Sequence, residues 1–381
     1  MPSPSLCLVA GEPSGDLHGA LLIAALRRRH PDWRLWGVGS DRMAAAGCDL
    51  WQHSRDWAVM GFAEVLRSLP QFRRRLRRLH SEIISRRPDG VVFIDYPGFN
   101  LRLARRLRGS EVRTLYYIVP QIWAWGQGRI EIFQRCIDRT IVVFPFEREF
   151  FAERGVTVDW VGHPFVDWVR PSALRDELRA RLGVGSTATL MALLPGSRVQ
   201  DFGHHLPVFM SAAQRLRSVI PGFHAVLGLA PSVKAQAPSG ALRNVSIPST
   251  DAIYDLIAAA DLVLTKTGTA TVECALLGTP MVCAFRTGAL NYAIGRRLVQ
   301  VRYAAMPNLI AGRQVVPEFI QKAATAEALA AAAAELLTRP DAAARQREDL
   351  ANVRARLGSP GAVERAADVI DQWLESVPRH N

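Results

Sequence analysis

The chain has 381 residues, 49% of them hydrophobic and 22% charged, which excludes a disordered polymer and suffices for two or three domain cores. Its 47 basic residues outnumber 35 acidic ones, and the net charge of +12 favours phosphates, nucleic acid or an anionic membrane without choosing among them. The five cysteines form no C-x-x-C pair, and no apolar run approaches the ~18 residues of a membrane span, so a cytoplasmic protein with reduced thiols is expected.

Short apolar runs alternate with longer helical patterns. In the first half, strands are predicted at Leu6–Ala10, Leu35–Val38, Val91–Ile94, Thr114–Ile118 and Thr140–Phe144. Helices are predicted over Gly19–Arg29, Ala63–Arg86 and Leu101–Arg108. Strands separated by helices imply βαβ units and a parallel sheet. The runs lack polar alternation, as expected for strands covered on both faces. After a polar stretch near Arg170–Ser186 the pattern restarts, with strands at Leu190–Leu194, His224–Leu229, Leu262–Leu264 and Met281–Ala284. The expected fold class is α/β, two Rossmann-like domains with parallel sheets facing a cleft. The expected limits are 1–170, 171–360 and a last helical segment, 361–381, packing back on the first domain. The Ala-rich segment Ala323–Leu337 reads as a plain helix.

The first strand runs into GEPSGDLHG at 11–19. It lacks the G-x-G-x-x-G and G-x-x-x-x-G-K-[ST] spacings, so neither phosphate fingerprint is present. Glu12 suits sugar hydroxyls better than a packed phosphate, and Ser14 or Asp16 equally reads as a helix cap. The strand Val91–Ile94 delivers Asp95 at its carboxyl end, where ligands of open α/β sheets gather; it reads as a general base or as a turn aspartate. Trp123 and Trp125 follow the next strand, as core packing or as a sugar or acyl surface. In the second half, the turn in LLPGSR brings Ser197 and Arg198 forward as a diphosphate clamp. Thr267, Gly268 and Thr269 form a small-residue turn, and Glu273 lies one helical turn on, placed to accept ribose hydroxyls. This segment also reads as a simple capped helix. No D-x-D triplet occurs, and His204 and His205, adjacent in sequence, are expected to be solvated rather than metal ligands.

The stripe Leu66, Leu69, Phe72, Leu76, Leu79 and Ile83 has helical period and faces a core. Arg73, Arg74, Arg75, Arg77 and Arg78 lie mainly off it, as a solvated face or a contact for anionic lipid headgroups. Nucleic acid is the rival partner, but no recognised reader motif supports it.

Taken in order, AGEPSGD (10–16), MGFAEVL (60–66), IDYPGFN (94–100), PQIWAW (120–125), FPFE (144–147), VGHP (161–164), LLPGSR (193–198), GTATVE (268–273), MPNLIAG (306–312) and PEFIQ (317–321) span about four-fifths of the chain. The set resembles the lipid-A-disaccharide synthase family, inverting glycosyltransferases of the GT-B architecture. The resemblance implies transfer from UDP-2,3-diacylglucosamine to the 6-hydroxyl of 2,3-diacylglucosamine 1-phosphate, giving a β-1,6-linked disaccharide and UDP. It implies Asp95 as the base, and Arg198, Gly268, Thr269 and Glu273 at the UDP with Asn308 and Gln321 nearby. Glu12, Ser14, Gly15, Asn100, Trp123 and Ser197 complete the expected substrate contacts. No cofactor or metal is implied. The implied setting is the cytoplasmic face of the inner membrane, with an anionic surface meeting Arg73–Arg78, no nucleic acid, and a homodimer as the assembly if the chain self-associates. Two departures stand out. Gly126 follows Trp125 where many relatives carry arginine, with Arg129 three residues on, and Asp201 stands where glutamate is commoner. The alternatives are another UDP-sugar enzyme of the same fold, such as a UDP-sugar 2-epimerase or a different sugar transferase, and a catalytically idle basic binder.

Overall fold

The computed structural model describes residues 3–57, 62–236 and 247–376; Met60 and Gly61 of the MGFAEVL stretch lie outside them, as do the side chains of Leu66 and Leu69. The chain divides into two compact units, one formed by 1–167 with 357–381 and the other by 168–356.

The first unit is a seven-stranded parallel sheet in the order β3-β2-β1-β4-β5-β6-β7. Its strands are β1 (Ser5–Ala10), β2 (Arg34–Gly39), β3 (Asp49–His53), β4 (Gly90–Ile94), β5 (Thr114–Tyr117), β6 (Arg139–Val142) and β7 (Asp159–Trp160). Side chains of a strand alternate between faces, and here both faces are dry. Leu6, Leu8, Val92 and Ile94 enter one core, and Cys7, Val9, Val91 and Phe93 enter the other. Helices α1 (Pro13–Arg29), α2 (Asp41–Ala45), α3 (Phe62–Arg86), α4 (Pro97–Leu107), α5 (Ile130–Cys136) and α6 (Pro145–Ala152) connect them. On α3 the expected stripe turns inward: Leu76, Leu79 and Ile83 are buried, with Phe72 packed against them.

Helix α1 begins at Pro13, six residues earlier than its apolar period suggests. Proline at the first helical position needs no hydrogen-bond donor and presets the helical φ. The glycine-rich turn therefore shrinks to Gly11 and Glu12, and Gly15 lies inside the first turn of the helix. The same device starts α4 at Pro97 rather than Leu101.

The last helix, Ala362–Glu375, packs on the first unit, burying Val363, Ala366, Ile370 and Trp373 in the core beneath α1. The branched ones, Val363 and Ile370, are each worth roughly 1.5–3 kcal/mol when buried. Arg28 and Arg29 also meet Glu364, Asp368 and Asp371, but these pairs are partly or largely exposed and contribute less than the burial.

The second unit is a six-stranded parallel sheet in the order β10-β9-β8-β11-β12-β13. Its strands are β8 (Thr189–Leu194), β9 (Phe223–Gly228), β10 (Ser249–Thr250), β11 (Leu262–Lys266), β12 (Met281–Phe285) and β13 (Glu318–Ile320). The Ala-rich helix runs over Ala326–Thr338, with the Thr325 hydroxyl accepting from the Ala328 N–H as its cap.

Candidate active site

At the carboxyl end of β4, Asp95 and Tyr96 both take left-handed backbone, with φ of 48° and 50°. For residues with a Cβ this costs on the order of 1–2 kcal/mol each and persists only where the surroundings hold it. The restraints are specific. Asn100, fully buried, donates its amide to the carbonyls of Val9 (3.1 Å), Ile94 (3.4 Å) and Asp95 (2.8 Å), and the Tyr116 hydroxyl donates to the Asp95 carbonyl at 2.6 Å. The Tyr96 ring lies where a Cβ on Gly11 would be. Gly11 is thus a packing requirement, and Gly15 similarly lets α1 approach the end of β4, its absent Cβ 3.3 Å from the Ile94 carbonyl oxygen.

This bend gathers three expected residues. The Ser14 hydroxyl points to the Asp95 carboxylate at 3.4 Å. Glu12 sits at the N-cap of α1, near enough to Tyr96 that its charge, after burial, raises the phenol's pKa. The Arg75 charge acts on the same phenol in the opposite direction. Ser14 and Asp16 do not cap α1. Asp16 is buried and accepts from the backbone N–H groups of Ser40 (2.5 Å), Arg42 (3.3 Å) and Met43 (3.3 Å), tying α1 to the start of α2.

Two expected substrate contacts in this unit turn inward. Asn100 holds the loop backbone, as above. Trp123 is 6% exposed and donates its indole N–H to Glu147 at 3.1 Å. Glu147 is buried and also accepts from the N–H groups of Val143 and Phe144. Burial raises its pKa to about 7 against those three donors. The second tryptophan, Trp125, is the exposed one at 39%.

In the second unit, β8 and β11 end side by side. Gly196 takes φ 125°, and a Cβ there would lie 2.7 Å from the Asp201 Cβ. Ser197 and Arg198 follow, exposed, with Arg198 at the N-cap of the helix Val199–Arg217. Gly268, at φ 155°, is the N-cap of the helix Thr269–Leu277, whose free N–H groups and dipole favour an anion. Lys266 closes the group: its ammonium pairs with Asp201 at 3.3 Å and lies 3.5 Å from where a Gly268 Cβ would be. Among the described residues Glu273 accepts one hydrogen bond, from the Tyr254 hydroxyl at 3.1 Å, and burial raises its pKa to about 7.

Gln321, with left-handed φ of 54°, closes on Thr287 through both amide atoms, at 2.8 and 2.9 Å. Asn308 is fully buried: it donates to Val316 and Glu318 and accepts from the N–H groups of Val315 and Val316, so it shapes a loop. His205, expected in solvent, is buried. It bridges the Asp201 carbonyl (2.6 Å) and the Arg286 N–H (2.9 Å), joining the ends of two elements. Lys266 escaped the sequence reading, though the signal was there. The chain holds three lysines among its 47 basic residues, and one stands in this turn.

A profile of the family described as lipid-A-disaccharide synthetase matches residues 6–371. The chain belongs to this family. It is 40% identical over 371 residues to the lipid-A-disaccharide synthase of Syntrophus aciditrophicus, covering 96% of this chain and 97% of that one. It is 42% identical over 336 residues to that of Pseudomonas aeruginosa, covering 87% and 89%. Among solved structures it resembles a calicheamicin glycosyltransferase (TM-score 0.62, 16% identity, full coverage of both chains). It also resembles the UDP-GlcNAc 2-epimerase of Neisseria meningitidis bound to UDP-GlcNAc (TM-score 0.64, 11% identity, covering 98% and 100%). At such identities the likeness establishes the GT-B-type fold alone. Family membership makes the chain a glycosyltransferase, and the epimerase alternative is not favoured.

Proposed function

We propose that the chain transfers 2,3-diacylglucosamine from its UDP derivative to the 6-hydroxyl of 2,3-diacylglucosamine 1-phosphate, with inversion. The first unit holds the acceptor and its base; the second holds the UDP sugar. The observation that carries this reading is the left-handed bend that projects Asp95 from the end of β4 beside Glu12 and Ser14. Inversion needs one displacement: Asp95 takes the proton as the 6-oxygen attacks the anomeric carbon, and the bond to UDP breaks. Charge on the leaving UDP falls to Arg198 and to the backbone N–H groups and dipole at Gly268–Thr269, with Glu273 accepting from the ribose. In this reading Asn100, Trp123, Asn308 and Gln321 act by holding the loops around the substrates.

The acylated substrates favour work at the cytoplasmic face of the inner membrane as a peripheral protein. Arg73, Arg74, Arg77 and Arg78 are exposed on α3, and three of them line an open groove with Trp51. Among the described residues no helix is long and apolar enough to cross a membrane.

The test is acceptor-dependent UDP release by wild type and Asp95→Asn. Turnover should fall by about 10²–10⁴-fold in the variant while UDP affinity stays the same. Turnover surviving in Asp95→Asn moves the base elsewhere, and a wild type idle with both acylated substrates overturns the reaction.

A further inference from the structure

The loop after β5 carries a cation that the reaction as described does not use. Gly126 takes left-handed φ of 76°, and the guanidinium of Arg129 folds back over the Trp125 ring, 4.2 Å from its centre. The Arg129 Nε lies 3.3 Å from where a Cβ on Gly126 would be, so glycine there clears the space the guanidinium occupies. Arg129 is half-buried, and among the described residues no carboxylate pairs with it. Another cation, Arg102 of α4, acts on it electrostatically; Arg102 donates to the Gly98 carbonyl and also pairs with no carboxylate among the described residues. Burial and, behind it, the Arg102 charge hold the Arg129 pKa below the ordinary arginine value. A half-desolvated guanidinium stacked on an indole, with a second guanidinium's charge acting on it and no carboxylate paired to it among the described residues, is unfavourable until an anion joins it.

The position says which anion. Strand β5 lies beside β4 in the sheet. The Tyr116 hydroxyl, which donates to the Asp95 carbonyl, feels the charges of both Asp95 and Arg129. Arg102 thus meets the Asp95 turn directly, through the Gly98 carbonyl, and Arg129 stands in the loop that follows the neighbouring strand. An acceptor whose 6-hydroxyl meets Asp95 carries its phosphate one sugar ring away, as a group with a charge of about −1.5 to −2 and three acceptor oxygens.

We propose that Arg129, with Arg102 as its neighbour, binds the 1-phosphate of the acceptor and makes the enzyme specific for a phosphorylated sugar. This rests on the transfer reaction proposed above. The cation–π contact with Trp125 fixes the guanidinium plane, which suits a bidentate grip on two phosphate oxygens.

The experiment measures UDP release with UDP-2,3-diacylglucosamine and either 2,3-diacylglucosamine 1-phosphate or its 1-hydroxyl counterpart. Wild type should strongly prefer the phosphorylated acceptor. Arg129→Gln should raise KM for that acceptor by roughly tenfold to a hundredfold, leave the donor KM unchanged, and bring the preference between acceptors close to one. Arg102→Gln should act in the same direction more weakly, and Arg129→Lys should recover part of the preference as a point charge. A merely structural role would penalise both acceptors alike. Retention of the preference in Arg129→Gln, or an equal loss with both acceptors, overturns the assignment while leaving the reaction standing. A wild type that turns over neither acceptor overturns the reaction and this assignment with it.

Discussion

The two units end their functional strands differently. At β4 the positive φ falls on Asp95 and Tyr96, which carry side chains; at β8 and β11 it falls on Gly196 and Gly268. The difference follows from what each strand end must offer. In the proposed reaction the base is a carboxylate aimed off the sheet, so the backbone bears the strain and Asn100, Tyr116 and the Tyr96–Gly11 packing hold it. A diphosphate is best met by bare N–H groups, so glycine removes the Cβ and the strain with it. Gln321 shows the same logic inside the second unit: it is left-handed without being glycine, and its side chain is what closes on Thr287. The carboxyl groups differ in parallel. Glu147 and Glu273 both have pKa values raised to about 7 by burial. Glu147 is surrounded by three N–H donors of its own unit, whereas among the described residues Glu273 accepts from Tyr254 alone and keeps acceptor capacity for a ligand.

The sharpest way to break this contrast is to put a Cβ where the second unit relies on its absence. Gly196→Ala meets both an unfavourable φ and the Asp201 Cβ, displacing the pair that Asp201 forms with Lys266. UDP affinity by calorimetry should fall by about a hundredfold, equivalent to roughly 3 kcal/mol, with the first unit's folding untouched. Unchanged UDP binding would remove this turn from the nucleotide site.

A smaller effect, of about tenfold on UDP affinity, is expected from Glu273→Gln. In the proposed role the form that accepts from the ribose is the carboxylate, and a pKa of about 7 means that it is lost as pH falls through neutrality. UDP affinity should therefore weaken more steeply from pH 8 to pH 6 in wild type than in the variant, which keeps only the slope of the diphosphate's own titration. Equal slopes in both would assign the dependence to another group.

Smallest is the effect of Glu147→Gln, which should appear in stability and leave UDP affinity alone. The amide must turn an NH2 toward N–H donors, which costs roughly 1–3 kcal/mol. The sign with pH follows from a folded pKa raised above the unfolded value. The folded state holds the proton more tightly, so the wild-type contribution is present below about pH 4.5 and lost as pH rises through about 7. The stability gap between wild type and variant, read from denaturant midpoints, should narrow between pH 5 and pH 8. A gap that widens would mean the three donors outweigh burial and the carboxylate is the form that the fold prefers.

The central strands were legible because both their faces are buried, which leaves uninterrupted apolar runs such as Leu6–Ala10 and Val91–Ile94. The edge strands β3, β7, β10 and β13 were not. They are two to five residues long and partly exposed, so Trp, His, Asp and Ser are tolerated and no period survives. The helix starts misplaced at α1 and α4 both lay at a proline, whose preference for the first helical position outweighs the apolar pattern further on.

Sequence alone determined the α/β class, the family, and the strand end at which Asp95 and Gly268 stand, because these depend on local pattern and order along the chain. Tertiary structure decided direction. Asn100, Asn308, Trp123 and His205 have side chains able to bind substrate, yet each is turned inward to carbonyls, N–H groups or a carboxylate that only the fold brings near. An unpaired buried polar group is costly, so once a side chain faces the interior its partners are set by packing rather than by residue type.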